Sequence, residues 1–372
     1  MVNRRRLIDT FMELVQIDSE TRHERRICDA LKGKLSRLGL EVVEDDSAER
    51  NGHAAGNLIA TLKGSQNGVP TIFFTAHMDT VSPGRGVRPS IRDGYIVSDG
   101  TTVLGSDDKA GLAALLEAVH VLKERRIAHG DVQFVLTAGE ESSLAGSREL
   151  DRSLLRAEYG FALDANGPVG DIVVAAPTQA KLEVAITGKS AHAGVNPEDG
   201  VSAIQVASQA ISNMPLGRVD SETTANIGRF SGGVATNVVC DRVDILGEAR
   251  SLHKEKLKAQ LRAMETAFRE AARSNGATAE VDVCIMYPGY RFTERDAVVK
   301  HAQRAMERIG RPSRLLTSGG GSDANVFSGI GIPTVNLAVG YEYIHTTKER
   351  IPVTELIKAA EMVVALIRET LN

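Results

Sequence analysis

The 372 residues predict an α/β protein with a smaller α+β domain inserted into it. Three observations carry that prediction. Up to about residue 180, apolar strand runs alternate with segments of helical spacing, the pattern of a largely parallel sheet. Between 181 and 288 the order becomes β-α-β-β-α-β, a ferredoxin-like split unit. After Pro288 the first rhythm returns. The expected domains are therefore a discontinuous one, 1–180 with 289–372, and an inserted one, 181–288.

Taken in order, residues 3–17 read as a helix. Thr21 and Glu24 have the spacing of a capping box, and Ile27, Leu31, Leu35 and Leu38 then recur at helical intervals until Gly39. Strand-like runs occupy 57–62 and 71–76. Leu112, Leu115, Leu116, Val119 and Leu122 predict an amphipathic helix after Gly111, and the β-branched run 132–137 a buried strand. Inside the insertion, strands are expected at 182–187, 223–230, 238–246 and 279–286, with helices at 201–211 and 254–272. Beyond it come a helix near 297–309, a Gly-rich loop, a strand at 334–339 and a helix from Val353.

Composition narrows the function. Forty-four basic and 48 acidic residues leave a net charge of -4, so nothing points to nucleic acid or an anionic membrane. Aromatic residues are 4% with no Trp, which disfavours stacking platforms. Three well-separated cysteines, Cys28, Cys240 and Cys284, argue against a disulfide framework and fit the reducing cytoplasm. Asp9 and Glu13 interrupt the start too early for a signal peptide, and no uncharged run approaches the roughly 18 residues of a membrane span.

Seven short motifs hold chemistry-bearing residues. A strand running into His77 is followed by Asp79, placed to fix the ring's tautomer. Asp107 and Asp108 sit in a Gly-bounded loop before a helix, a setting for a cation or for an N-cap. Glu140 and Glu141 end a buried strand, where one can ligate a metal while the other takes a proton from water. Asp164 ends another apolar run. His192 follows the first strand of the insertion and reads as a substrate or oxyanion donor. Gly320 and its neighbours permit close backbone approach to a ligand, with Asp323 beside them, and lack the Lys of a nucleotide P-loop. His345 lies in a loop. Each motif alone also reads as a cap, turn or surface residue. The remaining histidines, His53 among them, read as surface or core.

Together the motifs resemble the co-catalytic dizinc metallopeptidase family of aminoacylases, carboxypeptidase G and peptidase T, over essentially the whole chain. Gly105-Ser-Asp107-Asp-Lys-Ala-Gly, Ala191-His192-Ala-Gly, Thr223-Thr-Ala-Asn226-Ile and Gly320-Gly-Ser-Asp-Ala are similar to the peptidase T-like, tripeptide aminopeptidase branch. The resemblance implies a phosphorylase/hydrolase-like catalytic domain with a mixed, mainly parallel sheet and an inserted lid that also dimerises. It implies two Zn2+ ions, with Co2+ or Mn2+ as other candidates. His77 and Asp164 would hold one ion, Glu141 and His345 the other, and Asp107 would bridge them. Asp79 would support His77, and Glu140 would be the general base. His192, Asn237 and Arg250 would be lid residues contacting substrate, with His192 coming from its own or a partner chain.

The expected activity is removal of the N-terminal residue from tripeptides or other short peptides. Asp323, or an unliganded oxygen near the metals, would receive the substrate ammonium and Arg250 its carboxylate. An N-acyl amino acid amidohydrolase or carboxypeptidase would share every metal ligand. A non-catalytic peptide or metal binder is the more distant alternative, and the presence of Glu140 speaks against it.

Overall fold

The computed structural model describes residues 2–371. The chain forms two compact units. One comprises Met1–Ala175, Arg291–Ser318 and Ser322–Asn372, and the other Ala176–Tyr290 with Gly319–Gly321.

The first unit is built on a mixed sheet. Its strands run in the order Glu41–Glu44, Leu58–Leu62, Val132–Thr137, Ile72–His77, Tyr159–Ala165, Thr334–Ala338 and Asp171–Ala176. The four strands from Val132–Thr137 to Thr334–Ala338 are mutually parallel, and the neighbours outside them antiparallel. The central strands read as continuous apolar runs because helices cover both faces. Phe74 is in register with Phe134 on one side and Phe161 on the other, with ring centroids 6.1 and 5.7 Å apart. That aromatic row fixes the alignment of the strands and so of their carboxyl ends.

The helix Ser106–Arg125 is not amphipathic, contrary to the pattern of its leucines. From 106 to 122 only His120 escapes full burial. The strand Ile72–His77 lies against one side, and the helices Arg4–Val15 and Val353–Glu369 pack on it from others. Small residues, Ala110, Gly111, Ala113, Ala114 and Ala118, permit this crowding.

One buried acid on this helix, Glu117, is answered from the N-terminal helix. Arg6 donates Nε to Oε2 at 2.6 Å and Nη2 to Oε1 at 2.9 Å, and the Asn3 amide donates at 2.7 Å. Arg6→Ala strands a charge in the core. We expect it to lower unfolding free energy by about 3 kcal/mol, the low end for a broken buried pair because Arg6 is partly exposed, read from urea denaturation.

A further expectation fails at this level. Thr21 and Glu24 do not form a capping box: the helix Arg25–Arg37 has Glu24 at its cap with no side-chain bond. Glu24 is drawn instead to His53 Nδ1, 2.7 Å away, and Thr21 Oγ1 to Ser142 Oγ at 2.6 Å. The small antiparallel sheet of Ser90–Arg92, Tyr95–Val97 and Arg350–Pro352 was not legible in the sequence pattern, its strands having only three residues each.

The second unit is an antiparallel sheet ordered Gly217–Asp220, Thr223–Gly232, Arg242–Ser251, Thr178–Thr187, Thr278–Tyr287. The helices Ala203–Ser212 and Lys254–Ser274 pack on it around Leu182, Val184, Val243 and Phe268. Its four long strands have the order of the split β-α-β unit, and Gly217–Asp220 is an added edge. The strand expected at 238–246 begins only at Arg242 and runs to Ser251. The preceding segment is diverted: the Val239 amide donates to the Ala191 carbonyl and the Ala193 amide to the Asn237 carbonyl, each at 2.9 Å. Those bonds bring Asn237 to the His192 loop.

Candidate metal centre

In α/β sheets, ligands gather at the carboxyl ends of parallel strands. His77 is the last residue of its strand. Glu140 and Glu141 follow Val132–Thr137, Asp164 lies near the end of Tyr159–Ala165, and His345 is in the loop after Thr334–Ala338. Asp107 comes from the amino end of the buried helix.

Asp107 faces both imidazoles. Its Oδ1 is 3.0 Å from His77 Nε2 and its Oδ2 3.4 Å from His345 Nε2. Asp164 Oδ1 lies 3.6 Å from His77 Nε2, and Glu141 Oε1 3.0 Å from His345 Nε2. One ligand atom each of His77, Asp107 and Asp164 falls within 4.8 Å of the others, and the same holds for Asp107, Glu141 and His345. A third such set is His77, Glu140 and Glu141.

The surroundings orient these groups. His77 Nδ1 donates to the Asp79 carbonyl at 2.9 Å, while the Asp79 carboxylate is 3.5 Å away. So the tautomer is set by the backbone of Asp79 more than by its side chain. The carboxylate serves the neighbouring loop: it accepts the amides of Gly139, Glu140 and Glu141 at 3.0, 3.0 and 3.2 Å. Three successive N–H groups on one buried anion hold both glutamates in place. Behind them the His53 ring packs on Gly139, where φ is +75° and any Cβ would meet the imidazole. Tyr341 donates its hydroxyl to Asp164 Oδ1 at 3.1 Å, and Asn336 exchanges two bonds with the Asp164 backbone.

The electrostatics are those of a cluster short of positive charge. Burial opposes protonation of His77, but its bonds to Asp107, Asp164 and Asp79 prevail and raise its pKa well above the ordinary value. Bonds to Asp107 and Glu141 raise His345 to about 10. Burial pushes Asp164 up to about 7, and burial with the charge of Asp164 pushes Glu140 well up. Two imidazoles set among the carboxylates of Asp107, Asp164 and Glu141 are a fitting donor set for divalent cations.

Asp323 is buried in the first unit at the start of the helix Asp323–Gly329, where Thr137 Oγ1 donates to it. Its Oδ1 is buried without a hydrogen-bond partner. His192, Asn237, Arg250 and Gly320 belong to the second unit. His192 is exposed and accepts the Gly194 amide on Nδ1 at 3.1 Å. Arg250 is held by Glu248, Nε at 2.9 Å and Nη2 at 3.2 Å, and Gln179 donates to the same carboxylate at 2.6 Å. Next to Gly320, the Tyr287 ring lies where a Gly321 side chain would stand.

Sequence reasoning missed Tyr341, Asn336, His53 and Glu24. Asn336 carried a usable signal: a polar residue inside a buried strand demands partners, and those partners belong to Asp164.

Imidazoles and carboxylates converging at parallel strand ends define the class as a hydrolase with a metal-ligating centre. The chain belongs to peptidase family M20/M25/M40, whose model matches residues 73–369. It is 62% identical over 369 residues to YqjE of Bacillus subtilis (strain 168), covering 99% of each chain. A crystal structure of aminopeptidase PepT from Bacillus cereus ATCC 10987 shares 61% identity, with a TM-score of 0.92 over 100% of both chains. That of a tripeptidase from Staphylococcus aureus subsp. aureus mu50 shares 49%, with a TM-score of 0.95 over 100% of this chain and 99% of its own. Among the described residues, no helix is long and apolar enough to cross a membrane.

Proposed function

We propose that the chain is a dizinc aminopeptidase that releases the N-terminal residue of tripeptides and other short peptides. The observation that carries this reading is Asp107, whose two carboxylate oxygens face His77 and His345 separately, each imidazole having its own second carboxylate. His77 and Asp164 would hold one ion and Glu141 and His345 the other, with Asp107 shared between the two sets. Zinc held by these residues would supply Lewis acidity toward water and the scissile carbonyl.

The side chains do the rest. Glu140, kept basic by burial and by Asp164, accepts the proton of the attacking water and delivers it to the leaving amine. His192, in its exposed loop, donates to the developing oxyanion, from its own or a partner chain. Arg250 and Asn237 hold the far end of the peptide, Arg250 taking its terminal carboxylate, Asp323 receives the free ammonium, and the glycines at Gly320 admit the peptide backbone. Reading both termini measures length, which favours tripeptides. The names of the Bacillus cereus and Staphylococcus aureus structures support the same specificity.

The second unit also forms a homodimer surface in this reading. Val234 is 93% exposed, and Phe230, Val238 and Ile204 are each more than a third exposed on the same unit. The free cysteines, two of them buried, fit a cytoplasmic enzyme.

Trialanine against its N-acetylated and C-amidated forms tests the specificity. Release of the first residue from trialanine, with the acetylated peptide inert, is the expected result under mass spectrometry. Faster cleavage of the acetylated form would establish the amidohydrolase or carboxypeptidase activity instead.

A further inference from the structure

Glu349 is 2% exposed, in the loop four residues beyond His345, and no ligand set includes it. Its carboxylate reaches back across the chain to the loop before the buried helix. Oε2 accepts the Gly105 amide at 2.8 Å. Oε1 accepts the Ser106 hydroxyl at 2.6 Å and the Asp107 amide at 3.0 Å. Three consecutive residues ending on Asp107 are therefore fastened to the segment that carries His345.

The segments it joins are not regular helix. Asp107 has φ -82° and ψ 100°, outside the helix that its neighbours begin, and Gly105 is left-handed at φ 74°. His345 is itself at φ +61° and Tyr343 at +58°, so the opposite loop is also held in a conformation that side-chain-bearing residues seldom adopt. One carboxylate joins these two loops.

We propose that Glu349 is a positioning residue that locks the Asp107 loop to the His345 loop and so sets the aim of the bridging carboxylate. The inference rests on the dizinc reading. Outer groups of this kind change metal affinity by about 10–100-fold when removed. Gln is the informative replacement. It keeps the shape of Glu349 but accepts on one oxygen only, so its amide NH2 confronts either the Gly105 amide or the Ser106 and Asp107 donors.

The experiment is zinc titration calorimetry of the metal-free chain and of its Glu349→Gln and Ser106→Ala variants, with the visible spectrum of each chain after cobalt loading. The unmodified chain should take two zinc ions. Glu349→Gln should bind at least one of them about 10–100-fold more weakly and show a displaced cobalt band, which a remote structural defect does not produce. Ser106→Ala, which removes one of the three donors, should show a smaller loss and add nothing in the Glu349→Gln background. Two zinc ions bound by Glu349→Gln with affinities within about twofold of the unmodified chain, and an unaltered cobalt spectrum, would overturn the role of Glu349 alone. No zinc uptake by the unmodified chain would overturn the dizinc reading, and this inference with it.

Discussion

Glu140→Gln keeps its zinc and loses roughly 10²–10⁴ in turnover, the span for a missing general base. Shape, volume and the backbone bond from Glu140 to Asp79 survive the change, so the loop should hold its place. Only the ability to take a proton is lost. Glu141→Gln should behave in the opposite sense, losing zinc first and activity as a result, because Glu141 faces His345 directly. The two variants are to be compared by elemental analysis and single-turnover rates on trialanine. Near-normal turnover by zinc-replete Glu140→Gln would remove Glu140 from the base role.

Asp107→Ala is expected to empty both positions. Its two oxygens face different imidazoles, so no other single substitution takes an oxygen from each. Bound zinc should fall from about two equivalents towards none, with activity lost beyond recovery by added metal. In the unmodified chain, chelator should abolish activity and zinc restore it. Full zinc content in Asp107→Ala would strike that residue from the ligand set.

Much of the architecture is readable from local pattern, and the exceptions have physical causes. The runs that end on His77 and Thr137 are apolar because both faces of those strands are buried, and that continuity marks them. The helix from Ser106 misleads for a related reason. Its leucines recur at an amphipathic interval, but alanines and Gly111 fill the other face, and a small residue does not declare which side is solvent. Glu24 has the spacing of a cap, yet His53, 29 residues away in sequence, claims it. Asp79 stands two residues from His77, which predicts their pairing. Its larger engagement, with the amides of 139–141, depends on the adjacency of two strands and is invisible to spacing. Glu349 is the extreme case: its partners lie more than 240 residues earlier, so only the folded sheet brings the two loops together.

The order in which these pieces leave the ribosome has a consequence of its own. His77, Asp107, Glu141 and Asp164 are all made before the second unit, whereas Tyr341, His345 and Glu349 are made after it, about 180 residues past Asp164. The strand Thr334–Ala338 also enters the parallel sheet beside Tyr159–Ala165 only at that late stage. At about 5–20 residues per second, the nascent chain spends roughly 10–40 s with half a centre and no His345. On the dizinc reading, translation thus withholds the complete ligand set until the loop after Thr334–Ala338 is made.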